Sequence, residues 1–541
     1  MSRLSIFSLI LTITLGTLPG FAGRAEGEAE IARFASAFDS ARQKTLSEFK
    51  TRFTPDNDSI RDESLELFQK VLYVIVRDYA DPKSTSDLVD SAIKGVATTP
   101  KADELPQEHI PVGSYLIERA LDSMVMSLDP HSRYFSEKEY RDFQIHTRGE
   151  FGGLGMTVAK DKGETKVKIV EPMPDTPAER AGIKAGDFLT HVENQSVSDL
   201  DLSTVVERLR GRIGTKVKIT IISGEGGAPQ DLTLTRELIR LKSVRWKTEG
   251  NYGHLTISSF SEQTDNGIAE AIRQMRRELK DDLRGLVVDL RGNPGGLLVQ
   301  AVAVSDDFLK RGEIVSARGR AFGDNVSYGA RSGDLVDGLP IVILQNARSA
   351  SASEIVAGAL QDNKRAIVMG SSSFGKGSIQ SLIPLPGHGA IKLTTARYYT
   401  PSGRSIQSHG IDPDILLTHL PVEGEAKESQ REASLPGAFA APDPNLPVRA
   451  PLAATDISRC GSVLTLSKKD DELSCAIVYL RANTVESFSS ILDRGIPISN
   501  VATTSGSSTT SASPATTTPA IPDNVADPYR NPANRLMPPE P

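Results

Sequence analysis

Apolar residues at Leu65, Leu67, Phe68, Val71, Leu72, Ile75 and Val76 recur near the helical period, which predicts an amphipathic helix stopping before Tyr79-Ala-Asp-Pro82. Ala92-Ile-Lys-Gly-Val and the run from Leu116 to Met124 continue the helical pattern, parted by a polar, Pro-bearing insert from Thr98 to Pro111. From Gly149 to Leu238 the pattern changes to short alternating strands: Phe151 to Val158, Val167 to Val170, Phe188 to Val192 and Lys216 to Ile222. One short helix, Val205 to Leu209, interrupts them. Further on, Leu283 to Asp289 reads as a buried strand feeding the turn Arg291-Gly-Asn-Pro-Gly-Gly296, with a helix from Leu297 to Leu309. Ile341 to Leu344 is a second apolar run, after which Ile355, Val356, Ala359 and Leu360 share one helical face. Ser378 to Pro384 reads as extended chain ended by proline, and Asp470 to Leu480 as a late helix.

The polar stretches divide the rest. Pro421 to Ala454, rich in Pro, Ala and Glu, reads as a flexible linker, and Ser499 to Pro541 as a disordered Ser/Thr/Pro tail. Leu4 to Leu18 is apolar, follows Arg3 and precedes small residues up to Ala22 and Ala25, the pattern of a secretory signal. That implies an exported protein of the periplasm or cell envelope; an uncleaved anchor is the alternative. A chain of 541 residues with 38% hydrophobic content suits several domains with real cores, and a formal charge of −7 offers no case for nucleic-acid binding. In an exported protein the two cysteines, Cys460 and Cys475, are read as a structural disulfide. The eight histidines are scattered, and nothing has metal-ligand spacing.

Candidate chemistry gathers between Asn346 and Gln380. Ser351 stands where the apolar run ends and a helix begins, so the next backbone N–H is free to receive a negative oxygen. A hydroxyl needs a base, and Lys376, flanked by Gly375 and Gly377, is the candidate. Two plainer readings compete. Ser351-x-x-Glu354 also spells a capping box, which asks only for helix initiation. Gly370 to Lys376 spells most of a phosphate-binding loop, but Gly377 stands where a hydroxyl residue is required and no helix follows.

Taken together, Ser349-Ala-Ser351-Ala-Ser353-Glu-Ile, Ala357-Gly-Ala-Leu360, Phe374-Gly-Lys-Gly377 and Gln380 resemble the active-site block of the carboxyl-terminal processing peptidases, or tail-specific proteases. The resemblance runs from about Leu65 to Leu417, interrupted by the insert. It implies Ser351 as nucleophile, Lys376 as general base, Gln380 as the residue orienting the lysine, and Ser349 and Ser353 as supports. It also implies an oxyanion hole from the backbone of Gly296 and Ala352. The segment 149–238 resembles a PDZ domain, which captures a peptide C-terminus by strand addition, with Gly153, Leu154 and Gly155 as the carboxylate loop. Arg208, Arg210 and Arg212 close its short helix and can meet an arriving carboxylate; they read equally well as a solvated basic turn. Ser127-Leu-Asp-Pro-His-Ser132 also matches the family, and Asp129 and His131 are read there as turn residues rather than catalytic ones.

The expected fold is multidomain α+β: a signal at 1–25, a helical N-terminal domain at 26–148 and the PDZ domain at 149–238. A crotonase-like α/β serine protease core at 239–420, a linker with a helical segment at 421–498 and a disordered tail at 499–541 complete it. The expected activity is endoproteolysis of proteins with accessible C-terminal tails, without cofactor or metal. An adaptor protein and a homo-oligomer through the N-terminal helices are left open. The alternatives are a catalytically silent PDZ scaffold, which loss of Ser351 or Lys376 would have signalled, and, third, an acyl-CoA enzyme on a related fold, which export and the PDZ insertion disfavour.

A serine–lysine pair needs a neutral lysine. Lowering its pKa from about 10.4 to about 7 costs roughly 4.6 kcal/mol. No acid occurs from Val368 to His388, so burial away from carboxylates is the expected means. In a regular strand, positions four apart lie about 13 Å from each other. A bend between Lys376 and Gln380 is therefore required.

Overall fold

The computed structural model describes residues 58–98, 112–161, 163–224, 226–320, 325–331, 333–418, 430–442, 449–466 and 469–495. The expected signal sequence, nearly all of the insert and the tail lie outside the described residues. None of the described helices is long and apolar enough to cross a membrane.

A seven-stranded sheet organises the catalytic region. Its order is Val244–Glu249, Tyr252–Ile257, Gly285–Asp289, Ile341–Gln345, Ala366–Gly370, Ile415–Thr418 and Ala453–Asp456, with every pair after the first parallel. Successive side chains of a strand point to opposite faces. Accordingly Leu286, Val288, Ile341 and Ile343 enter one core, with the helices Thr264–Leu279, Leu298–Asp306 and Ala352–Asp362. Val287, Val342 and Leu344 enter the other, beneath the helices Ile457–Val463, Asp471–Ala482 and Val485–Arg494. Burial on both faces explains why these strands are continuously apolar in sequence.

The second layer therefore comes from the chain beyond 421. Residues 430–442 and 449–454, read from composition as flexible linker, pack on the protein, and Ala453–Asp456 adds the seventh strand. Scattered anchors hold the stretch: Glu432 and Phe439 are buried, with partners distant in sequence, which an average over Pro, Ala and Glu content does not register. Cys460 and Cys475 form a disulfide between two of the covering helices.

A smaller five-stranded sheet contains Ala390–Tyr399, paired with Arg133–Phe135, Glu313–Gly319 and Ser378–Pro384. The N-terminal helices Asp58–Asp78, Thr85–Ala97 and Val112–Met126 are not a separate body. Phe68, Val71, Leu72, Ile75, Leu121 and Met124 share a core with Ile391 and Leu393 of that sheet. Much of the apolar face read as a dimer contact is thus used within the chain.

The helix Glu137–Arg148 leads into the PDZ segment. Ser136 and Glu139 form a capping box at its start, and Gly149, at φ 71°, ends it in a left-handed conformation. The PDZ sheet runs Met156–Ala159, Val167–Pro172, Phe188–Val192, Lys216–Ile222 and Pro229–Thr235. The helix Leu202–Leu209 buries Val205 and Leu209 against it. The outer edge of Met156–Ala159 pairs with no strand among the described residues.

Candidate active site

Gly285–Asp289, Ile341–Gln345 and Ala366–Gly370 are neighbours in the sheet and run parallel, so their C-terminal ends emerge side by side. From them come, in order, the glycine-rich turn, the turn bearing Ser351, and the loop bearing Lys376. Open α/β sheets place their ligand sites at such strand ends.

Ser351 begins the helix Ala352–Asp362 with φ 56° and ψ −111°, a backbone conformation strained for a residue with a Cβ. The turn is held from several directions. Ser351 N–H donates to Glu354 Oε2 at 2.6 Å, while Ala350 N–H and the Ser353 hydroxyl both donate to Asn293 O at 3.0 Å. The Ser349 hydroxyl donates to Leu290 O at 2.8 Å. Ser349 and Ser353 thus tie the serine turn to the glycine-rich turn. The phenol of Tyr398 is buried beside Ser351, and burial raises its pKa far above the ordinary range.

In the glycine-rich turn, Asn293 accepts Gly295 N–H on Oδ1 at 2.8 Å. Gly295 lies at φ 100°, and a Cβ there would sit 2.7 Å from Ala350 O and 2.9 Å from Ser351 Cβ. Gly296 lies at φ 150°, where a Cβ would fall 2.1 Å from Phe260 O. Only glycines let this turn close on the serine. Among the described residues, neither Gly296 N–H nor Ala352 N–H finds a protein acceptor. Arg291 anchors the turn from behind: its guanidinium reaches Asp289 at 2.6 Å, Asp470 at 2.8 Å and Glu472 at 2.6 Å, the last two at the start of the helix Asp471–Ala482.

Lys376 is joined to Ser351 through one carboxylate. Glu354, wholly buried, takes Ser351 N–H and Lys376 N–H on Oε2 at 2.6 and 2.9 Å. On Oε1 it takes Gly375 N–H and the Ser373 hydroxyl, both at 2.6 Å. Burial pushes this carboxyl up to about 7, against the pull of its hydrogen bonds. The capping-box reading of Ser351-x-x-Glu354 was therefore correct in part, and Glu354 reaches further than a cap. The side chains of Ser351 and Lys376 form no hydrogen bond with each other, nor does Gln380 bond Lys376. Gln380 Nε2 donates instead to Ser378 Oγ at 2.9 Å and Thr394 Oγ1 at 3.2 Å. The pairing with Ala390–Tyr399 shifts register between Ile379 and Gln380.

Burial pushes the Lys376 amine down to about 8, and Lys392 lowers it further, while Glu432, Asp129 and Glu354 oppose both. The expectation of a lysine kept away from carboxylates is corrected here. The three acids come from positions 129, 354 and 432, so the local sequence gave no sign of them. Asp129 is buried and accepts the Ser132 hydroxyl at 2.6 Å and the Thr394 hydroxyl at 3.1 Å, which links it to Gln380. The Asp-Pro turn is as expected, but it also faces the lysine.

In the PDZ segment, Leu154 O accepts Ala178 N–H at 2.9 Å and Gly155 O accepts the Thr176 hydroxyl at 3.0 Å. Gly153 ends the strand Glu150–Gly153, and the amides of Leu154 and Gly155 donate to no acceptor among the described residues. Arg208 is bonded to Gln195 at 2.6 Å. Arg210 stacks 4.8 Å over Phe151 and pairs with Asp142 of the helix Glu137–Arg148 at 2.9 Å.

Two family descriptions match this chain: peptidase family S41 over residues 251–417 and the PDZ domain over 168–223. A carboxy-terminal-processing protease of Bartonella bacilliformis is 47% identical over 309 residues, 57% of this chain and 71% of that protein. A carboxyl-terminal-processing protease of Synechocystis is 36% identical over 304 residues, 55% of this chain and 70% of that one. Identity at that level across most of a relative's length goes with a shared fold and a shared class of chemistry, and this chain belongs to peptidase family S41, among the carboxy-terminal-processing serine proteases.

Proposed function

We propose that the protein is an exported endopeptidase that selects substrates by their C-terminal tails and cleaves them with a Ser351–Lys376 dyad on a crotonase-like core. One observation carries this reading: a single Glu354 oxygen binds the backbone amides of both residues, so serine and lysine loops move as one unit. The serine hydroxyl attacks the peptide carbonyl carbon and passes its proton to the neutral amine of Lys376. Oxygen gains negative charge as the tetrahedral intermediate forms, and the amides of Gly296 and Ala352 receive it. The lysine returns its proton to the leaving amine, giving an acyl-enzyme, and then takes one from the water that releases the acid. Gln380 closes on the lysine when the side chains reach their reacting arrangement.

The unpaired edge of Met156–Ala159 and the free amides of Leu154 and Gly155 support capture of a substrate C-terminus as an added strand. Arg210 connects that domain to the helix leading toward Asp129, which supports a link between tail binding and cleavage. The apolar leader Leu4–Leu18 and the Cys460–Cys475 disulfide support an oxidising, exported setting.

Cleavage of an unstructured peptide tests the dyad. Ser351→Ala and Lys376→Arg should both be inactive yet folded, because guanidinium keeps its proton. The rate should also rise with pH through about 8, where the amine is freed. Turnover by the arginine variant would refute the base; turnover by the alanine variant would refute the nucleophile. Amidating the substrate's C-terminus should weaken binding, and unchanged affinity would refute tail capture.

A further inference from the structure

The family match ends at Leu417, yet the chain returns to the catalytic loops afterwards. Residues 430–442 cross beside the lysine loop and make bonds that nothing described so far requires. Arg431 donates from Nε and Nη2 to Ser373 O at 3.1 and 2.8 Å, and from Nη2 to His409 O at 2.6 Å. Glu432 N–H donates to Phe374 O at 3.1 Å. The Glu432 side chain, with no exposed surface, bonds His131 Nε2 through Oε2 at 2.8 Å and accepts Gln407 Nε2 on Oε1 at 2.9 Å. Gln407 Oε1 in turn accepts Gly377 N–H at 3.1 Å. Phe439 fixes the far end in the N-terminal core, 5.9 Å from the Tyr79 ring and beneath the Arg397 guanidinium at 4.6 Å.

The lysine loop is therefore gripped twice. Glu354 holds the amides of Gly375 and Lys376, while the strap of residues 430–442 holds Ser373 and Phe374 before them directly and Gly377 after them through Gln407. A buried carboxylate costs several kcal/mol of desolvation unless its bonds and charges compensate. Two side-chain bonds would also be available to a neutral glutamine, so bonding alone does not explain an acid here. Two cations offer a reason for the charge: the His131 ring at 2.8 Å when it is protonated, and the Lys376 ammonium through Coulomb attraction.

We infer that Glu432 is a positioning residue for Lys376: from outside the matched domain it fixes the loop that carries the base and keeps a negative charge within electrostatic reach of the amine. The inference rests on the reading of Lys376 as the base. Four charged groups face that amine: Lys392 from the strand Ala390–Tyr399, Asp129 from the Asp-Pro turn, Glu354 from the serine helix and Glu432 from the strap. Lys392 favours the neutral amine and the three acids favour the charged one. Glu432 thus trades some of the free-amine fraction at neutral pH for a loop that stays in place.

The test is the pH profile of kcat/KM for the full chain on an unstructured peptide, in Glu432→Gln, Glu432→Ala and Lys392→Met. Glutamine keeps the shape and removes the charge, so its acid limb should move to lower pH by about half a unit or more. Alanine also releases the grip, so its plateau kcat should fall by about tenfold or more with KM little changed, and glutamine should recover most of that loss. A purely structural role would change the plateau and leave the limb where it is in the wild type. Lys392→Met serves as the control and should move the limb upward. If it does so while Glu432→Gln does not move, the inference fails and the dyad stands. If neither moves, the limb is not that of Lys376, and the dyad reading falls together with this inference. Should the alanine variant not fold, the limb of the glutamine variant still decides.

Discussion

Replacing Glu354 by glutamine tests whether one carboxylate holds the Ser351 and Lys376 loops together. Glu354 satisfies four donors with two oxygens: Ser351 N–H and Lys376 N–H on one, Gly375 N–H and the Ser373 hydroxyl on the other. Glutamine has one acceptor oxygen and a donating NH2. With its oxygen toward Ser351 and Lys376, the NH2 faces Gly375 N–H, which cannot turn away, although the Ser373 hydroxyl can rotate. In the opposite orientation, the amides of both Ser351 and Lys376 lose their acceptor. Each stranded buried amide costs about 1–3 kcal/mol. Ser351 also sits at φ 56°, a conformation costing roughly 1–3 kcal/mol that persists only while its surroundings enforce it. A loss of about 3 kcal/mol in positioning corresponds to roughly a 100-fold fall in kcat/KM. The assay is steady-state cleavage of an unstructured fluorogenic peptide above pH 8, where the Lys376 amine is free. Glu354→Asp, whose shorter side chain reaches fewer donors, should also be impaired. A glutamine variant within about threefold of wild type would refute the shared-carboxylate argument.

Three further outcomes follow from other parts of the structure. Replacing Cys460 and Cys475 by serine removes a cross-link over a sequence separation of 15, and denaturant titration should show a loss of about 3 kcal/mol. Arg291→Met leaves Asp289, Asp470 and Glu472 without their shared cation; unfolding should show a loss of about 3–5 kcal/mol, with lowered turnover because the glycine-rich turn loses its anchor. Burial and the neighbouring Asp265 push Asp307 up to about 8. A carboxyl raised on folding contributes stability at low pH that is lost as pH rises through 8, so Asp307→Asn should raise the melting temperature more above pH 8 than near pH 5.

Local order could be read from the chain itself. The helical period around Leu72 and Ile75 and the apolar strands at Leu286–Val288 and Ile341–Leu344 depend on near neighbours, and both appear in the structure. The order of serine, lysine and glutamine motifs identified the family for a related reason: each motif is a short run of residues that can be read without its tertiary partners.

Assembly of the site was decided elsewhere. Three parallel strands had to lie side by side before the glycine-rich turn, Ser351 and Lys376 could meet, and strand order depends on how the sheet is covered on both faces. One of those covers comes from the helices after Ile457, and the strap carrying Glu432 comes from a stretch whose composition resembles a linker. The charge around the lysine followed the same rule. Asp129, Glu354 and Glu432 lie 225 and then 78 residues apart along the chain, and Coulomb interaction depends only on their distance in space. Sequence alone determined which residues could do the chemistry. The tertiary structure decided which charges and hydrogen bonds surround them, because burial brings together groups that no local pattern relates.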